Sequence, residues 1–89
     1  MRLWPLGDIG VDSGHIIVID PGMVNMLNDF EWYTDDHEWK RIKLPSALSI
    51  HTGDGDFDVY AILDDDNKKV GIFIHTEPDT KLPFEVIND

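Results

Sequence analysis

Three carboxylates at alternate positions, Asp54, Asp56 and Asp58, interleave with glycines in the run Gly53-Asp54-Gly55-Asp56-Phe57-Asp58. The i, i+2, i+4 spacing resembles a calcium loop on paper. An EF-hand needs glycine at the sixth loop position and a bidentate glutamate at the twelfth. Counted from Asp54 these positions are Val59 and Asp65, so the motif fails at the first. In an extended chain, side chains two apart share a face, and three carboxylates so placed repel one another unless a cation or a basic partner neutralises them. The run therefore reads as a solvated acidic loop, a divalent-cation site, or a contact surface for a basic protein. Gly53 and Gly55 already supply the bend, so the charge exceeds what a turn requires.

The second constellation is residues 30–39. It holds the aromatics Phe30, Trp32, Tyr33 and Trp39 and the acids Glu31, Asp35, Asp36 and Glu38, with no regular period. A small core cannot easily cover so many rings. Trp32, Tyr33 and Trp39 are therefore either a lid on a sheet or interface anchors of the kind that dominate binding energy. Lys40, Arg41 and Lys43 come next as the main basic cluster.

Other chemistries find less support. The histidines His15, His37, His51 and His75 show no i, i+4 metal pair, and no cysteine supplements them. Ser13 has Asp12 and His15 near in sequence but no strand-to-helix nucleophile elbow. Gly53-Asp54-Gly55 puts a carboxylate where a phosphate loop needs a donor. The run Asp64-Asp65-Asp66-Asn67-Lys68-Lys69 is a largely self-neutralising hairpin tip.

The elements that must position these groups are mostly strands. Ile9 and Val11 alternate with polar neighbours, residues 12–14 are turn chemistry, and residues 15–19 are β-branched, which together predict a first hairpin. Asp20-Pro21 is a helix-start signal, and Met23, Met26, Leu27 and Phe30 mark one face of a helix over residues 23–30. Residues 31–43 read as irregular. Residues 46–52, 57–63 and 70–76 alternate as strands, the last two forming a second hairpin, and residues 82–87 add an edge strand limited by Pro83. Asp20, at the end of the first hairpin, would join Asp54–Asp58 along one rim of the sheet if the hairpins pack side by side. The fold class is mainly β (α+β): about six mostly antiparallel strands in hairpins, with one short helix packed on the sheet. The expected core holds Ile17, Ile19, Ile50, Val59, Ala61, Ile72 and Ile74.

Size and charge bound the function. The chain has 89 residues, which is read as a single domain over residues 1–89. Eighteen acids oppose seven bases, a formal charge of −11. Such a field repels nucleic acid and anionic membrane and attracts basic surfaces, so direct nucleic-acid binding is not expected. The hydrophobic share of 42% argues against an acidic disordered tail. The apolar run of residues 16–19 is too short to span a bilayer, no signal peptide is evident, and the absence of cysteine suits a reducing cytoplasm.

Two segments resemble a family. Val11-Asp12-Ser13-Gly14-His15-Ile16-Ile17-Val18-Ile19-Asp20-Pro21 resembles a V-[DP]-S-G-x-h-x-h-x-D-P hairpin, where h is hydrophobic. Gly53-Asp54-Gly55-Asp56-Phe57-Asp58-Val59-Tyr60 resembles a G-D-G-x-[FY]-x-[VT]-Y hairpin. Both occur, in this order, in uncharacterised small bacterial and phage proteins. The resemblance implies a small β-rich fold in such a setting and brings no activity.

These features favour a small acidic, non-enzymatic binding module: a phage or bacterial protein that binds and inhibits a basic, nucleic-acid-binding protein by imitating the negative field of a duplex. The binding residues are expected among Asp20, Asp54, Asp56, Asp58, Trp32, Tyr33 and Trp39. No cofactor is expected beyond a divalent cation at the acidic run. Three other readings remain open: a metal-assisted hydrolase or lyase using Asp20, Asp54 and Asp56 with His51, a nucleotide-sequestering protein stacking its ligand on Trp32, Trp39 or Tyr60, and a structural phage component.

Overall fold

The structure, a computed structural model, describes the backbone of residues 1–28, 41–44 and 47–87 and the side chains of residues 1–25 and 47–87. The fold is mainly β and mostly antiparallel. The chain divides into two compact units, Val11–Asp54 and the pair Met1–Gly10 with Gly55–Asp89.

The Val11–Asp54 unit holds a three-stranded antiparallel sheet of β2 (His15–Ile19), β3 (Arg41–Leu44) and β4 (Ala47–His51), with β4 in the centre. β2 is a β-branched run suited to a pleated surface. Its register on β4 runs from His15↔His51 to Ile19↔Ala47. β3 reads Arg-Ile-Lys-Leu, a polar–apolar alternation inside a stretch expected to be irregular. His15 and Ser49 are buried.

The first hairpin expected from the sequence does not form. β1 (Arg2–Val11) and β2 lie in different sheets. Gly14, at φ +75°, turns the chain, and its carbonyl accepts the backbone N–H groups of Thr52 at 2.8 Å and Gly53 at 3.0 Å. The start of β2 is thereby tied to the end of β4 rather than folded back on β1.

The expected helix is also corrected. Pro21–Asn28 is a 3-10 helix, and no α-helix occurs among the described residues. The Asp20 carbonyl accepts the N–H of Met23 at 2.8 Å, an i to i+3 bond. Its carboxylate accepts the N–H of Gly22 at 3.0 Å, so Asp20 does cap the start of this element. The segment itself contains Gly22, Val24, Asn25 and Asn28, all poor α-helix formers, and they favour a tighter, shorter turn. The side chains of Met26 and Leu27, and Phe30 altogether, lie outside the described residues.

The second unit is a four-stranded sheet in the order β6-β5-β1-β7. The expected second hairpin is present: β5 (Gly55–Leu63) pairs antiparallel with β6 (Lys69–His75), from Asp58↔His75 to Leu63↔Lys69. At its tip Asn67 takes φ 60°, and the Asp64 carboxylate accepts the N–H groups of Asp66 and Lys68, each at 2.9 Å. The expected edge strand is β7 (Glu85–Val86), which pairs parallel with β1 through Arg2↔Glu85 and Leu3↔Val86.

β1 is much longer than the strand expected at Ile9 and Val11. Pro5 and Gly7 argue against a central strand. β7 reaches only Arg2 and Leu3, however. Pro5 lies past its end, where a missing N–H breaks no ladder bond on that side.

Leu3 is wholly buried, and Phe57 and Ala61 are nearly so. Of the expected core, Ala61 is buried, Ile17, Ile19, Ile50, Val59 and Ile74 are half-buried, and Ile72 is 64% exposed. Ile72 stands on β6, an edge strand, so no further strand of its sheet covers it. Leu3→Ala should therefore cost about 2–5 kcal/mol in a denaturant melt. Ile72→Ala should stay within about 0.5 kcal/mol of wild type. The reverse order would refute this placement of the core.

Candidate functional site

Alternation along β5 decides where its acids go. Phe57 and Ala61 point to one face and are buried. Asp56 and Asp58 therefore share the other face, and both are exposed. Tyr60 is the next residue on that face. Its ring centroid lies 6.4 Å from that of Phe73, which lies 5.9 Å from the ring of His75 on the same strand. The His75 Nε2 contacts the Thr80 carbonyl at 3.0 Å and its Oγ1 at 3.2 Å.

Asp58, Val59 and Tyr60 line a shallow cavity of about 320 Å³ with Pro5, Gly7, Asp8 and Val86. Two carboxylates and a phenol ring thus border one hollow. Asp56 stands apart: its Oδ1 lies 3.1 Å from where a Cβ on Gly10 would sit. A side chain at Gly10 would push the Asp56 carboxylate back by a few tenths of an ångström.

Asp54 belongs to the other unit. Its Oδ1 and the Nε2 of His51 each lie 3.8 Å from the position of a Cβ on Gly14. Gly14 is tied to residues 52 and 53 by its carbonyl, so this convergence is a consequence of the turn. His51 also meets His15 edge to face, with ring centroids 5.0 Å apart. His15 is held by Nδ1 against the Ser13 carbonyl at 3.0 Å.

Asp20 sits beyond Ile19, at the end of the β2–β4 pair where Ala47 lies, whereas Asp54 comes after the His51 end. Five residues of strand separate the two ends, roughly 13 Å at the usual rise. The shared rim expected of Asp20 and Asp54 is therefore absent, and Asp20 serves its own turn. Of the residues a metal-assisted hydrolase would use, Asp54 and His51 both approach Gly14, while Asp20 lies at the other end of the β2–β4 pair. No group of three or more His, Asp or Glu among the described residues is placed to hold a metal. Trp32, Tyr33 and Trp39 lie outside the described residues.

Sequence reasoning misses Asp8, because alternation alone starts the first strand at Ile9. Tyr60 is legible, two residues after Asp58 on an alternating strand.

The described carboxylates are little neutralised. Among the described residues one ion pair occurs, from the Met1 ammonium to Asp65 at 4.0 Å. The folded chain therefore repels itself, and added salt should raise its melting temperature by screening. Asp8→Asn with Asp58→Asn should raise the low-salt melting temperature and shrink the salt response. A melting curve indifferent to salt would mean that the acids are already compensated. No described helix is long and apolar enough to cross a membrane. Comparison with family models, with curated proteins and with solved structures finds no match.

Proposed function

We propose that the chain is a small acidic, non-enzymatic binding module that docks on a basic, nucleic-acid-binding protein and blocks it, in the cytoplasm of a bacterial or phage-infected cell. The observation that carries this reading is the hollow bordered by Asp8, Asp58 and Tyr60. A lysine or arginine side chain entering it meets two carboxylates that no base within 4 Å neutralises among the described residues. Its stem packs on Pro5 and Val86 and its charge lies against a phenol face, an arrangement that adds cation–π attraction. Exposed acids elsewhere, Asp54 and Asp56 among them, extend the negative field and steer approach. Asp20, Trp32, Tyr33 and Trp39 complete the proposed contact set.

The test is displacement of a labelled duplex from purified basic DNA- and RNA-binding domains. The protein should release the duplex from at least one domain, with an effect that falls as salt rises. Asp8→Asn with Asp58→Asn should weaken the competition about tenfold or more, and Tyr60→Leu should weaken it without changing its salt dependence. Absence of displacement from every domain at low salt, or equal competition by the double variant, would remove the proposal.

A further inference from the structure

The opposite face of the same sheet carries a second feature with inverted chemistry. Arg2, Trp4 and Leu6 of β1 line a groove of about 530 Å³, floored by Ala61 and Leu63 of β5. Ile87 closes one side, and Asn67 and Lys69 stand at the hairpin end. A volume of this order suits a small organic molecule. Trp4 remains 41% exposed and Leu6 51%, so the groove offers an open indole and an aliphatic wall.

Its charge runs against that of the chain. Acids outnumber bases eighteen to seven overall, yet among the described residues the lining includes two bases and no carboxylate. Several nearby acids are turned to other tasks. Asp64 accepts two backbone N–H groups of the hairpin tip, and Asp65 faces the Met1 ammonium. Glu85 is the register neighbour of Arg2 across β7, but no ion pair within 4 Å joins them. The Arg2 guanidinium instead donates to the neutral Asn67 Oδ1. That bond orients the fork, and among the described residues no carboxylate lies within 4 Å of its charge. Asn67 is fixed there by its left-handed backbone at the hairpin tip.

We infer that this groove binds a planar aromatic anion of small-molecule size, with its carboxylate or phosphate between Arg2 and Lys69 and its ring against Trp4 and Leu6. Arginine suits such a head group because its planar fork donates two parallel hydrogen bonds. The apolar floor discriminates against small inorganic anions, which gain nothing from it. The acidic surroundings discriminate against polyanions, so nucleic acid is a poor occupant. This site is independent of the acidic hollow and of the partner proposed for it.

The experiment uses the whole protein labelled with nitrogen-15. Naphthoate and naphthyl phosphate are titrated separately, with naphthalenemethanol as the neutral analogue. At least one anion should give saturable shifts at the Trp4 indole N–H and at the amides of Arg2, Leu63 and Lys69; the tighter anion identifies the head group. Lys69→Gln and Arg2→Gln should each weaken binding about tenfold or more. Lys69 is exposed, so its variant should melt like wild type and keeps the test valid if Arg2→Gln perturbs the fold. Equal binding of naphthalenemethanol, shifts that map elsewhere, or undiminished affinity in Lys69→Gln would overturn the inference.

Discussion

The unit built from both chain ends depends on β1 lying between β5 and β7. Leu3 is the wholly buried side chain of that strand, and the Ile87 N–H closes the far edge on the Leu3 carbonyl at 2.8 Å. More than forty residues separate β1 from its neighbours in sequence. The cost of closing such a loop grows only slowly with length, but it must be met before non-local contacts return anything. A core this small meets it with few side chains, which is why Leu3 matters more than its size suggests.

Both proposed surfaces depend on that strand. Its alternation sends Arg2, Trp4 and Leu6 to one face and Pro5 and Gly7 to the other. β5 does the same with Ala61 and Leu63 against Asp58 and Tyr60. Two adjacent strands thus build a cationic apolar groove on one face and an acidic aromatic hollow on the other. The period of two in a pleated strand puts Arg2 and Asp58 on opposite faces, while Asp8, two residues past Leu6, also borders the hollow.

Some of this is plain in the sequence, and the rest is hidden for identifiable reasons. The β5–β6 hairpin is legible because alternation, a polar tip and Asn67 all agree. Asp20 caps as its residue type predicts, but the periodicity of Met23, Met26 and Leu27 masks the weak helix propensity around Gly22 and Asn25. The first hairpin misleads because Asp12-Ser13-Gly14 is good turn chemistry wherever the next strand pairs. Which strand β2 joins is decided by Gly14 bonding to residues 52 and 53, a non-local fact. The full length of β1 is hidden because Pro5 and Gly7 ordinarily exclude a central strand, and only the brevity of β7 excuses Pro5. Asp8, Arg2 and Trp4 are concealed with it. The acids of β5 are visible in the sequence; their neighbours across the sheet are not.

Whether the N-terminal strand is locked into the sheet, where it holds both surfaces, is tested most directly by amide hydrogen exchange at Ile87. Its N–H bonds across to β1, so it reports whether that strand is seated. Exchange as slow as that of the Ala61 amide in β5, with both accelerated together by Leu3→Ala, is the result predicted. An Ile87 amide that exchanges freely while β5 and β6 stay protected would contradict it, because the groove and the hollow would then lack the strand that forms their walls.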